Sequence, residues 1–481
     1  MNMIPQDVNL YCLLPEIILL AGATTLLFIR GVGRGKGIVP AAVLTVFAAL
    51  AAVCYLWDQG AHGLGGLIVK DNSALMFQVL ILTTALISFV LARDFLPDHK
   101  NNGEYYSLLL FSLIGMGIMT STRDLLVIFL GIEILSLSLY VLVGFMKIVR
   151  AGMEGAVKYF LLGSFASALF LLGLALSYGA TGTTNLAAFA APSAAPALLL
   201  AGAALMLIGL GFKIAAAPFH MWAPDAYEGA PVCVAAFMSV APKIAVFAVL
   251  LRFGTSVSGP GQNLFSAAVI FMSVASMVIG NFTALRQASV VRMLAYSGIA
   301  QAGYILIGLL AIPEGGAGAI AFYLMVYIFM NMGAFASLAY LSRRQGKALR
   351  IDDLAGLASR HPWHAFALAV FMVSLAGIPP TGGFFAKFYL FKVGIEAGYL
   401  GVVLIAIVAT IVSFFYYLRI VMVMYMTAEG EGEGLLPMRT GVTMIGVMIA
   451  AIVIMTFLTG IMPDQFFRSA ATVFTVIIPG V

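Results

Sequence analysis

Charge is scarce in this 481-residue chain: Asp, Glu, Lys and Arg make up 9 % of it, against 62 % hydrophobic residues. With a mean hydropathy of +1.07, that excludes a water-soluble globular domain, where charged residues run to about 25 %. Cysteine is nearly missing. Cys12, Cys54 and Cys233 lie far apart with no metal-ligand or disulfide spacing. That excludes an iron–sulfur motif, and each thiol reads as a small apolar packing group. There is no CxxCH segment and no dinucleotide glycine fingerprint after a strand. His361 and His364 flank Pro362 and make no plausible haem pair. The formal charge of +5 is spread through short loops and does not describe a nucleic-acid surface. Met1–Asn9 holds no Lys or Arg, and Glu16 interrupts the first apolar run. The N-terminal run therefore reads as a retained span rather than a cleaved signal peptide.

What the chain does have is long apolar runs. Each is about 20 residues, enough to cross the hydrocarbon layer as a helix, and none shows the ten-residue alternation of barrel strands. The expected fold is an all-α polytopic membrane protein of fourteen spans, near 10–29, 38–57, 74–92, 105–122, 125–146, 156–178, 197–222, 231–253, 264–285, 293–311, 317–341, 363–394, 401–425 and 441–461. An apolar tail, 466–478, is expected at the interface. Sixteen Lys and Arg fall in one set of alternate loops and four (Lys70, Arg123, Arg252, Arg468) in the other. The positive-inside rule then puts both termini away from the cytoplasm. GVGRGKG (Gly31–Gly37) lacks phosphate-loop spacing and reads as an inside loop; Glu429, Glu431 and Glu433 read as a solvated one.

Two spans are interrupted. GFKIAAAPFHMW carries Pro218 after Lys213, and AGIPPTGGFFAKFYLFK carries Pro379, Pro380, Gly382 and Gly383 before Lys387. An interior proline removes a helix hydrogen bond, and lipid tolerates the freed groups only where protein or water satisfies them. Paired breaks point to a transport site in a duplicated carrier. The whole chain reads as one membrane domain: three N-terminal spans (10–92), two inverted five-span repeats (105–253 and 264–425), each with its fourth span broken, then a last span and tail.

Within these apolar runs sit Glu133, Lys158, Lys213, Lys243 and Lys387. A charge at the bilayer centre costs roughly 2.5–3.5 kcal/mol even on a lenient scale, so such a row reads as an ion or proton path. Lysine suits protons because desolvation moves its pKa from about 10.4 toward neutrality, while a nearby carboxylate opposes that move. A movable Glu–Lys pair is therefore a switch. Arginine stays charged and cannot serve; here it is confined to loops and span ends. The bland alternatives are a structural hydrogen-bonded Glu133 and lysines that snorkel to the surface, the latter strongest for Lys158 and Lys392. His220, seven residues after Lys213, is either a relay or structural. Asp225, Tyr227 and Glu228, in the short inside loop APDAYEG, read as loop-ordering. Ser136, Ser138, Tyr296 and Ser297 hold water or pack between helices.

The block KIAAAPFHMWAPDAYEGAPVCVAAFMSVAPKIA (Lys213–Ala245) resembles the antiporter-like proton-pumping subunits of respiratory complex I, the proton-translocating NADH:quinone oxidoreductase. PDAYEGAP (Pro224–Pro231) resembles the subunit N branch rather than L or M, and the length agrees. Subunit M has a glutamate where this chain has Lys387. The resemblance implies that Glu133 pairs with Lys213, that Lys243 is the central relay and Lys387 the terminal site, and that Lys158 occupies a lysine position typical of subunit N. It implies no cofactor in this subunit; NADH, FMN, iron–sulfur clusters and quinone belong to others. It implies a bacterial inner membrane and neighbours that include subunits M, K, J and A. The competing readings are a subunit of a cation/proton antiporter or of a hydrogenase-like, ferredoxin-driven complex, and a non-pumping bridging subunit. PDAYEGAP argues against the first, and the row of costly lysines against the last.

Overall fold

The computed structural model describes residues 9–31, 37–95, 102–146, 150–190, 195–342, 349–427 and 443–474. The GVGRGKG stretch, apart from its terminal glycines, lies outside the described residues, as do the Glu429–Glu433 run and the end of the apolar tail.

The chain is a bundle of helices: α1 (Leu14–Gly31), α2 (Ile38–Tyr55), α3 (Asn72–Phe95), α4 (Asn102–Thr120), α5 (Leu125–Val143) and α6 (Arg150–Thr181) lead into α7 (Pro196–Lys213), α8 (Trp222–Gly229) and α9 (Val232–Ser256). Then come α10 (Pro260–Ala284), α11 (Val290–Leu310), α12 (Ala317–Ser342), α13 (Leu357–Arg360), α14 (Pro362–Ala376), α15 (Gly382–Glu396), α16 (Leu400–Met426), α17 (Met444–Ile461) and α18 (Pro463–Thr472). Among the described residues, twelve helical stretches are long and apolar enough to cross a membrane. With α4, whose first turn is polar, and the interrupted pair α14–α15, they supply the fourteen expected spans. Ends are set locally: Asp124 caps α5 by accepting from the Leu126 and Val127 N–H groups, and prolines open α7, α10, α14 and α18.

The helices form two shells. The membrane window of α9 is wholly buried, and those of α11 and the α12 stretch are 94 % and 89 % buried. Windows of α2, α6, α10, α16 and α17 are only 33–39 % buried and present Leu, Phe and Val outward. A hairpin, Ala61–Gly63 antiparallel to Ile68–Lys70, sits between α2 and α3 and was not expected.

The two breaks differ from expectation in one respect. Helix α7 stops at Lys213, and APDAYEG is not a loop: it lies within α8. Pro224 falls in the first turn of α8, where its missing N–H is tolerated; Asp225 follows near the positive helix end. The second break runs from Gly377 to Thr381 between α14 and α15.

Candidate functional site

Among the described residues four lysines are buried, and three of them belong to the row marked out by the sequence: Lys213 is 5 % exposed, Lys243 2 % and Lys387 3 %. Each of these three amines rests on oxygen atoms and beside an aromatic face, which is how a desolvated cation is accommodated without a carboxylate.

Lys213 ends α7 and donates to Ser136 Oγ at 2.6 Å and to the Tyr140 hydroxyl at 3.4 Å, both on α5. Its amine lies 5.6 Å from the Tyr140 and Phe212 ring centres. Glu133 lies one turn before Ser136 on α5, half-buried, and its carboxylate accepts from Ser167 of α6. In this conformation the two charges are held by different serines, with no ion contact between them.

Lys243 projects from α9 and donates to the Gly298 carbonyl of α11 at 2.5 Å and to the Tyr327 hydroxyl of α12 at 3.5 Å. A Cβ at position 298 would stand 3.0 Å from Nζ, so a larger residue there would press the amine away from its carbonyl. Lys387 reaches from α15 to the last carbonyls of α14, Leu375 at 3.2 Å and Ala376 at 3.0 Å, over the Tyr304 ring at 4.8 Å. The end of a helix has unsatisfied carbonyls and partial negative charge, which suit an ammonium. Gly377 makes this end: its φ of +87° favours glycine, and a Cβ there would come within 3.1 Å of Lys387 Cδ.

Between Lys243 and Lys387 lies a polar cluster that the sequence reading missed apart from Ser297. Ser297 and Tyr417 share a hydrogen bond. Gln301 donates to the Tyr417 hydroxyl at 3.1 Å and to the Leu375 carbonyl at 3.2 Å, and accepts from Tyr323. Asn281 donates to the Tyr304 hydroxyl at 3.3 Å and accepts from Tyr416 at 2.9 Å. The overlooked signal is helical spacing: Ser297, Gln301 and Tyr304 lie at i, i+4 and i+7 of α11.

His220 lies half-buried in the α7–α8 break, and its buried Nδ1 has no hydrogen-bond partner. Lys158 is outside the buried row: its side chain is 44 % exposed and pairs with Glu154 at 2.7 Å and Asp225 at 2.8 Å. Asp225 also takes Arg292 at 2.6 Å, and Arg292 reaches Glu228 at 3.1 Å. The α8 carboxylates thus fasten α6 and α11. Burial opposes ionisation of Asp225, but hydrogen bonds from Lys158 and Arg292 outweigh it and hold the carboxyl below its ordinary value. Lys392 is exposed beside Glu396, 3.9 Å away.

Two further ion pairs lie near the α2–α3 hairpin. Lys70, assigned above to a loop, is fully buried and pairs with Glu16 at 2.6 Å. Gln78 also donates to Glu16, at 3.0 Å, and Arg252 pairs with Asp71 at 2.8 Å. Among the described residues, no group of three His, Cys, Asp or Glu side chains could hold a metal ion.

Residues 122–413 match the family described as NADH:quinone oxidoreductase/Mrp antiporter, TM. NADH-quinone oxidoreductase subunit N of Trichlorobacter lovleyi is 41 % identical, over 89 % of this chain and 90 % of that protein. A chain of respiratory complex I from Thermus thermophilus, solved with bound aureothin, superposes with a TM-score of 0.83 at 34 % identity, covering 95 % of this chain and 99 % of that one. A chain of the membrane-bound sulfane sulfur reductase, an archaeal respiratory membrane complex, superposes with a TM-score of 0.84 at 25 % identity, covering 96 % of each. This chain therefore belongs to the NADH:quinone oxidoreductase/Mrp antiporter family and, within it, to the subunit N branch.

Proposed function

We propose that this subunit carries protons across a bacterial inner membrane as part of an NADH:quinone oxidoreductase, with Lys213, Lys243 and Lys387 as the proton-holding groups and Glu133 as the switch. The observation that carries this reading is the set of three interior amines, each on neutral oxygens. A chain that only needed to span lipid would not retain them.

An approaching carboxylate favours the ammonium form of a buried lysine, and withdrawal favours release. Glu133 and Ser136 are one turn apart on α5, so a small movement exchanges a serine for a carboxylate beside Lys213. With Glu133 close, Lys213 holds a proton. With Glu133 on Ser167, Lys213 becomes the donor to Lys243, which passes the proton to Lys387 for release. His220 is suited to relaying the proton between Lys213 and Lys243. Lys158 matches a subunit N lysine and, with Asp225, orders the cytoplasmic mouth.

Spans α4–α9 and α10–α16 are read as inverted repeats. In support, each break sets a lysine at the end of a half-helix: Lys213 ends α7, and Lys387 meets the end of α14. Both termini then lie on the periplasmic side. The subunit works beside other membrane subunits, among them M, K, J and A, while NADH, FMN, iron–sulfur clusters and quinone are bound elsewhere in the complex.

The test is Lys213→Ala in the assembled complex. The expected result is fewer protons translocated per NADH oxidised; an unchanged ratio counts against the proposal.

A further inference from the structure

We infer that Gln301 is a positioning residue that sets the polar groups lining the way between Lys243 and Lys387, an inference that rests on the proton-transfer reading above. Gln301 is 1 % exposed in the middle of α11. Its side-chain amide joins four helices: it lies on α11, accepts from Tyr323 of α12, and donates to the Leu375 carbonyl of α14 and the Tyr417 hydroxyl of α16. The orientation of the amide is fixed. A backbone carbonyl only accepts, so the group facing Leu375 must be the NH2 end.

Both ends of this arrangement meet a lysine. The Leu375 carbonyl that accepts from Gln301 also accepts from Lys387. Tyr417 bonds Ser297, whose neighbour Gly298 accepts from Lys243. Polar groups of the protein therefore line the way from one amine to the other, although neither the Ser297 nor the Tyr417 hydroxyl bonds a lysine directly. The Tyr417 oxygen accepts from Gln301 and shares a second hydrogen bond with Ser297, in which either hydroxyl can donate.

The amide of Gln301 does not titrate and is no carrier. Proton movement leaves Lys243 a neutral amine and Lys387 an ammonium. Water would carry the proton between each amine and the hydroxyls; every carrier gives up one proton as it gains another, so it ends with the number it began with. Gln301 holds the geometry in which that exchange is aligned, and keeps the Leu375 carbonyl in place when Lys387 lets go of it. Mis-set geometry in a relay slows transfer steeply.

The experiment uses the intact complex in proteoliposomes, with protons per NADH and the pH profile of quinone reductase turnover as readouts. Gln301→Leu keeps the bulk and removes the amide. Its expected result is a lower proton ratio and a shifted pH profile. Gln301→Glu is expected to recover the ratio only at the acidic end, where its carboxyl is protonated and can donate to Leu375. Tyr417→Phe, which removes one oxygen and keeps the ring, serves where Gln301→Leu fails to assemble, and is expected to lose pumping likewise. A wild-type ratio and profile in Gln301→Leu, or in Tyr417→Phe, overturns the inference while Lys243→Ala still abolishes pumping. If Lys243→Ala and Lys213→Ala also pump normally, the proton-transfer reading itself has failed.

Discussion

At the scale of the residue, the lysines are legible in sequence and their partners are not. Lys213, Lys243 and Lys387 stand out because any charge in an apolar run is costly. Their acceptors are mostly backbone carbonyls, of Gly298, Leu375 and Ala376, or a common serine, Ser136. A carbonyl has no letter in a sequence, and only the fold brings it to an amine. For Lys158 the snorkelling alternative was legible but the ion pair was not, because its partner Asp225 comes from α8, a segment whose composition reads as a loop. Two substitutions follow at this scale. Gly377→Ala forces a side chain onto a φ of +87° and against Lys387; proton transfer should fall while the complex still assembles, as read by pumping assays beside native gels. Ser136→Ala removes the closest oxygen from the Lys213 amine. Hydrogen bonds to charged groups are worth about 1.5–3 kcal/mol, so the pH profile of turnover should move; an unchanged profile would show that Ser136 does not hold that amine.

At the scale of the element, proline and glycine announced both broken helices, and the structure puts a lysine at each break. What they did not announce is that the chain after the first break re-forms a helix. Helix α8 is held by Asp225 and Glu228 against Lys158 and Arg292. The Asp225 pKa lies below its ordinary 3.8, so this contribution is fully present above that value and is lost as pH falls through the lowered one. Hydrogen exchange of α8, corrected for intrinsic rates, should be flat from about pH 8 to about pH 5; loosening within that window would contradict the assignment. The hairpin after α2 ends on Lys70, whose pair with Glu16 ties it to α1. Lys70→Met leaves a buried carboxylate without its cation, which costs about 3–5 kcal/mol in comparable cases. Thermal stability should drop, and adding Glu16→Gln should restore part of it.

At the scale of the whole molecule, the number of spans could be counted from hydropathy, but their shells could not. Helices α6 and α9 are similarly apolar in sequence, yet α9 is enclosed on all sides and α6 faces outward along much of its length. Lipid and protein interior are alike as solvents for Leu and Val, so composition does not separate a central helix from a peripheral one. The polar stripe of Ser297, Gln301 and Tyr304 is the better marker of a central helix, since it must find partners on several sides. The enclosed core of α9, α11 and α12 is also where Lys243 sits, on oxygens from two of those helices. The most direct measurement is the number of protons moved per NADH by the reconstituted complex carrying Lys243→Met, which keeps the side chain's bulk and removes its charge. A clear fall in that ratio is expected, in a complex that still assembles. An intact complex with Met at 243 and a wild-type ratio would contradict it.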